Sequence, residues 1–371
     1  MIQLFNTHVT DEAKSNVNDV LDSTWLNEGA YVKQFETKLK EDWGFANPNM
    51  VNSCTSALHL ALICSGVGPG DEVILPAQTF VATGMAVLMT GAKPVFCDID
   101  PKTGNMSPES FGSKITEKTK AVIPVHWGGN PCDMSRIRNY ADDKISIIED
   151  AAHAFGSVYQ RKPIGSLELS NFTCFSFQAI KFLTSGDGGA ICTNNEELAE
   201  EIARRKWFGI DRSKMTRRFE GDRNVAIQEL GFKYNMNDFV AALGVGNLSD
   251  AKERFQRRQT IALFYNCQFG PVDGIDPMIV DPGGKYGTKS SYWLYTVLVE
   301  DRENFIKMMR DKNINVSVVD RRIDEHPVFG GLTKGLHGQR TFDKKQVSIP
   351  VHDALTDEDY NYIIDSVKGG W

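Results

Sequence analysis

Several familiar chemistries are missing from this 371-residue chain. It has no GxSxG, HExxH or GxxxxGK[ST], and no GxGxxG after its first strand. Those absences argue against a hydrolase nucleophile elbow, a zincin, a P-loop and a Rossmann dinucleotide site. Its seven histidines are isolated, so no metal site is expected. The segment DIDPKTGN from Asp98 lacks the full ligand spacing of a calcium loop and reads as a turn. The seven cysteines (Cys54, Cys64, Cys97, Cys132, Cys174, Cys192 and Cys267) are odd in number and never form CxxC. Several sit in apolar runs, as reduced thiols do. No apolar run is long enough to span a bilayer. No block of like charge accompanies the net charge of −7, so neither nucleic acid nor a membrane surface is an expected partner. The start, MIQLFNTHVTDEAKS, lacks the charged and apolar segments of a secretory signal, and a cytoplasmic location is expected.

What is present is an ordinary soluble composition, 41% hydrophobic and 24% charged. The length suggests about two domains. Apolar spacing predicts helices over Asp11–Leu21 and Tyr31–Trp43, with a break at Asn27-Glu28-Gly29. Short strands then alternate with helices: strands at Glu72–Leu75, Pro94–Asp98, Ala121–Val125 and Ile145–Glu149, helices at Thr79–Met89, Pro108–Phe111 and Asp133–Asp142. This alternation predicts an α/β fold with a mostly parallel sheet covered on both faces. Ligands in such sheets bind beyond the carboxyl ends of the strands, where Asp150 and His126 fall. Further helices are expected at Glu196–Phe208, Met236–Leu248 and Ala251–Phe269. Strands at Tyr292–Val299 and Ile314–Val319, with helices at Arg302–Asp311 and Asp357–Val367, complete a smaller α+β part. The boundary is expected near Ser249, giving domains 1–249 and 250–371.

Three stretches could carry chemistry. In SFQAIKFLTSGDGGAICTN, from Ser176, Lys181 sits among Ile180, Phe182 and Leu183 before a glycine-rich bend. A lysine among apolar groups loses hydration, so its neutral amine, the form that makes a Schiff base, becomes accessible. A snorkelling lysine in a strand–turn–strand would look the same. In IIEDAAHAFGS, Glu149 and Asp150 follow an apolar strand and point to opposite sides of it. A carboxylate there could hold a protonated heteroaromatic nitrogen, with His153 nearby, or could simply cap a helix. Asn52-Ser53-Cys54-Thr55-Ser56 precedes an apolar helix, an arrangement suited to an anion or to plain capping by Thr55 or Ser56. Phe80 could lie on a ring or sit in the core.

Taken together, the pieces NSCTSALHLAL, GDEVILPAQTFVATGMAVLMTGAKPVFCDID, PVHWGG, IIEDAAHAFGS, SFQAIKFLTSGDGGAICTN and GFKYNMNDFVAALG resemble the DegT/DnrJ/EryC1/StrS sugar aminotransferases. They run in that family's order from about Leu26 to Gly244; the C-terminal part matches more loosely. The resemblance implies the type I fold of aspartate aminotransferase and pyridoxal 5′-phosphate as cofactor. It implies Lys181 as the Schiff-base lysine and proton carrier, Asp150 on the pyridine nitrogen, Phe80 against the ring and His153 near the ring substituents. Thr55, Ser56 and Ser176 would hold the phosphate, with Asn235 reaching in from the second subunit of a homodimer.

The implied reaction moves an amino group from glutamate to a keto sugar, most simply a nucleotide-linked 3- or 4-keto-6-deoxy sugar. Substrate contacts are expected around Trp127, Arg212–Arg223, and the segment from Arg321 that holds His326 and Phe329. Two positions depart from the family's habit. Cys54 replaces a common glycine before Thr55, and Phe182 follows the lysine where polar residues are frequent. A dehydratase or lyase on the same fold and a non-catalytic regulator are the alternatives. Lys181, replaced by histidine in the dehydratases of this family, favours amino transfer.

Overall fold

The computed structural model describes residues 1–211, 227, 229–278, 280 and 287–371. The chain opens with helices α1 (Asp11–Ser23) and α2 (Ala30–Trp43), then strand β1 (Asn49–Val51) and helix α3 (Cys54–Cys64). Next come β2 (Glu72–Pro76), α4 (Val81–Met89), β3 (Lys93–Cys97), α5 (Pro108–Lys114), β4 (Thr119–Val122), α6 (Met134–Ala141) and β5 (Ser146–Asp150). A small hairpin, β6 (Val158–Tyr159) and β7 (Lys162–Pro163), leads to β8 (Phe172–Ser176), β9 (Gly189–Cys192) and α7 (Glu196–Arg205).

Seven of these strands form one sheet in the order β1-β9-β8-β5-β4-β2-β3. Strands β2, β3, β4, β5 and β8 run parallel, whereas β9 pairs antiparallel with both β8 and β1. Strand β8 is buried at every position, as strands covered on both faces must be. Helix α3 is buried from Ala57 to Leu62, so it reads as apolar all round rather than as a two-faced surface helix. It reaches the sheet because β9 begins with a glycine: a Cβ at Gly189 would lie 2.6 Å from the backbone nitrogen of Cys54.

Helices α8 (Asp238–Asn247) and α9 (Ala251–Phe269) lead to a second, antiparallel sheet of β10 (Ile275–Pro277), β11 (Tyr295–Val299) and β12 (Gln346–Ile349), in that order. Helices α10 (Arg302–Asp311), α11 (His337–Lys345) and α12 (Asp357–Lys368) complete the chain. This part has its own apolar core, with Tyr265, Phe269, Val297, Phe305 and Ile363 fully buried. Trp293, Leu294 and Phe342 instead join the core of the large sheet. Among the described residues no helix is long and apolar enough to cross a membrane.

The mostly parallel sheet agrees with the alternation in the sequence. The expected strand at Ile314–Val319 does not form: Ile314 bridges Ile2 and Ser317 bridges Ser348, each at a single point. The ladder on β11 is taken instead by β12, whose alternating Gln346-Val347-Ser348-Ile349 is too short to stand out in the sequence. Helix α4 starts at Val81, with Phe80 in extended conformation at its N-cap, so the expected start at Thr79 is two residues early.

Candidate active site

A cavity of about 330 Å³ opens at the carboxyl ends of the parallel strands. Lys181, Asp150, Phe80, His153, Thr55 and Ser176 all line it.

Lys181 is placed by a turn after β8. Its backbone N–H donates to the Gln178 carbonyl, and the turn closes where Ser185 N–H donates to Phe177 and Phe177 N–H donates to Gly188. Gly188 sits at φ 124°, a conformation open to glycine and strained for other residues. The Lys181 Nζ lies 3.7 Å from the centroid of the Trp293 ring. Desolvation brings the amine down from 10.5 to about 8, against the pull of Asp320 and Asp150. A useful fraction is therefore unprotonated near neutral pH.

Asp150 ends β5 and is buried, 5% exposed. Its Oδ2 accepts from Thr83 Oγ1 at 2.7 Å and its Oδ1 from Ala152 N–H at 3.1 Å. Thr83 is in turn 2.6 Å from the Thr79 hydroxyl, so a short relay of hydroxyls props the carboxylate from α4. Burial raises the Asp150 carboxyl, and the Thr83 and Ala152 hydrogen bonds only partly offset it.

Glu149 points the other way. It takes Nε2–H of His126 at 2.8 Å, Thr173 at 2.9 Å and the Ser170 hydroxyl, and does not line the cavity. His126 Nδ1 accepts from Cys132 N–H, which puts the ring proton on Nε2.

His153 stacks on Trp293 with centroids 3.9 Å apart and planes at 23°. Its Nδ1 is buried and has no hydrogen-bond partner among the described residues. Burial pulls this imidazole well below its usual range, with the Lys181 charge adding to the effect, so it is neutral.

The first turn of α3 supplies Ser53, Cys54 and Thr55 to the wall. The helix is capped by Ser53, whose Oγ accepts from Ser56 N–H, so the expected capping by Thr55 or Ser56 is corrected: both lie inside the first turn. Ser56 is buried behind the wall, donating to Asn52 Oδ1 at 2.7 Å. The Cys54 thiol, pushed well up by burial, is an inert lining group.

Other expected residues lie elsewhere. Asn235 sits against β1, bridging Val51, with its side chain near Asn27 and Lys233 and away from this cavity. Trp127 is wholly buried, edge-on to Phe342 and His153. His326 is exposed, and Phe329 packs over Gly84 and edge-on to Phe96. Arg212–Arg223 falls outside the described residues.

The sequence reading missed Trp293, Asp320, Thr79 and Thr83. The two threonines carry a signal, four residues apart beside Phe80. Trp293 and Asp320 carry none, because they arrive from the C-terminal part.

The DegT/DnrJ/EryC1/StrS aminotransferase family model matches residues 7–368. The chain is 35% identical to the spore coat polysaccharide biosynthesis protein SpsC of Bacillus subtilis (strain 168), over 96% of this chain and 94% of that protein. It is 31% identical to the GDP-perosamine synthase of Escherichia coli O157:H7, over 99% of this chain and 98% of the synthase. The crystal structure of the sugar aminotransferase CalS13 from Micromonospora echinospora matches with a TM-score of 0.93 and 30% identity, covering 100% of both chains. An amine tuned by burial, an acid on the adjacent strand and these full-length likenesses agree: the chain belongs to the DegT/DnrJ/EryC1/StrS aminotransferase family.

Proposed function

We propose that this aminotransferase uses pyridoxal 5′-phosphate to take an amino group from glutamate and deliver it to a keto sugar carried on a nucleotide, best a 3- or 4-keto-6-deoxy sugar. The observation that carries the reading is the meeting of Lys181 and Asp150 in one cavity, the lysine with its amine lowered to about 8. The nucleotide is supported by the likeness to a GDP-sugar enzyme.

The residues present fit the cofactor. The cavity is within the size range of small-molecule sites. The partnerless Nδ1 of His153 offers a polar contact to a ring substituent. The hydroxyl-bearing first turn of α3 suits a phosphate. When bound, the cofactor supplies an aldehyde carbon and an electron-withdrawing ring.

Lys181 would hold the cofactor covalently, and its freed amine would take a proton from the donor's α-carbon and return it during amino transfer. Asp150 would keep a proton on the ring nitrogen. Thr55 and Ser176 would bind phosphate, with Ser56 behind them. Phe80, 57% exposed on the cavity rim, would cover the ring. Asn235 would act in the neighbouring cavity of a homodimer. The division into domains 1–249 and 250–371 belongs to the same proposal and is supported by the separate C-terminal core.

Lys181→Ala tests the reading. The variant should lose the absorbance of covalently linked cofactor and its steady glutamate-dependent turnover, a drop of about 10²-fold or more. Normal turnover by Lys181→Ala would end the assignment.

A further inference from the structure

Asp320 faces Lys181 from across the cavity, on the segment that follows the point contact of Ser317 with Ser348. Its backbone is left-handed, at φ 47°, a conformation that aspartate and asparagine adopt more readily than most residues. The conformation is held by two glutamines: Gln78 Nε2 donates to the Asp320 carbonyl at 2.8 Å and Gln346 Nε2 at 3.3 Å. Next along, Ile323 N–H donates to the Ala77 carbonyl. The segment is thus tied to the loop that carries Phe80.

All of these bonds use backbone groups. Among the described residues, no hydrogen-bond donor reaches the Asp320 carboxylate, which is partly buried and shares the cavity with a second carboxylate, Asp150. Burial accordingly raises its carboxyl. A pinned acid that the protein leaves without donors is set up to take them from what enters the cavity.

We propose that Asp320 is a specificity-determining residue, its carboxylate accepting hydrogen bonds from the hydroxyls of an uncharged acceptor ring and turning away acceptors that carry a carboxylate at that place. The proposal rests on the sugar aminotransferase reading above. It also predicts tension with the donor, because glutamate is itself a dicarboxylate and must enter the same cavity.

Asp320→Asn is the decisive variant, because asparagine tolerates the left-handed backbone and keeps the shape while removing the charge. Asp320→Gly also suits that backbone and removes the side chain altogether. With the holoenzyme, kcat/KM for a neutral keto-sugar nucleotide should fall about tenfold or more in both variants. The KM for glutamate should fall, and discrimination against a keto-uronic acid nucleotide should narrow. Calorimetry of the aminated sugar nucleotide on cofactor-free protein should show the same loss of affinity. Donor and acceptor constants worsening together would overturn the proposal in favour of a packing role. An unchanged acceptor constant would overturn it too. A parent enzyme that converts glutamate to oxoglutarate yet aminates no keto sugar would instead sink the underlying substrate reading.

Discussion

Glu149 and Asp150 are neighbours on one strand, equally buried, and they meet opposite fates. Glu149 faces away from the cavity into three donors, His126, Ser170 and Thr173, which outweigh burial and hold its carboxyl below the usual value. Asp150 faces the cavity with two donors, and burial wins, so its carboxyl is raised. One acid is satisfied by the protein alone. The other is left short of partners on the side where a cationic ring would bind. The difference separates an acid that holds the fold from an acid that waits for a ligand.

Substitutions at the two positions should therefore cost different things. Asp150→Asn should lower amino transfer by about 10²-fold or more, since it removes the charge that would keep a proton on the cofactor ring. The melting temperature of the cofactor-free protein should hold or rise, because a raised acid is a burden to the folded state above its pKa. A joint fall in activity and stability would break the contrast.

Glu149→Gln should act on stability first, by about 3 kcal/mol, as expected for breaking a satisfied buried charge network. The sign with pH follows from the lowered carboxyl. Its contribution is full above the ordinary value of 4.5 and is lost as pH falls through the lower, folded value. Acid unfolding followed by circular dichroism should thus show a shallower pH dependence in the variant.

Thr83→Val sharpens the comparison with the smallest change. It takes one donor from Asp150, so the carboxyl should rise further and the acid limb of the pH–rate profile should move upward. The rate at neutral pH should fall about tenfold. An unmoved acid limb would mean that Thr83 does not support the charge of Asp150.

The parallel sheet was legible because it is written in short contiguous stretches. Lys181 and Asp150 stood out only once the family resemblance joined them, and the cap of α3 is Ser53 instead of the expected Thr55 or Ser56. Strand period, apolar flanks and turn glycines act over a few residues. The opposite directions of Glu149 and Asp150 followed from the strand's two-residue alternation alone. In the C-terminal part the elements that became α9, β11, α10 and α12 were legible too, but the pieces between them were not. Ile314–Val319 has strand-like apolar residues but no partner beyond two single bridges, and partners are a tertiary matter. Trp127, within PVHWGG, was expected near the substrate, yet the left-handed Gly128 and Gly129 that follow it form a tight turn and the indole is wholly buried. Asp320 reads as one more surface acid until the fold brings it opposite Lys181.

Trp293 bears on how the protein is made. Its indole N–H donates to the Ile180 carbonyl, its backbone carbonyl takes Arg258, and its ring touches both His153 and the Lys181 amine. During synthesis the lysine leaves the ribosome well before this tryptophan does. Until the last third of the chain docks, the amine lacks the burial that lowers it to about 8, so in a nascent chain a far smaller fraction is unprotonated near neutral pH. The amine's readiness toward aldehydes therefore rises as Trp293 closes over it.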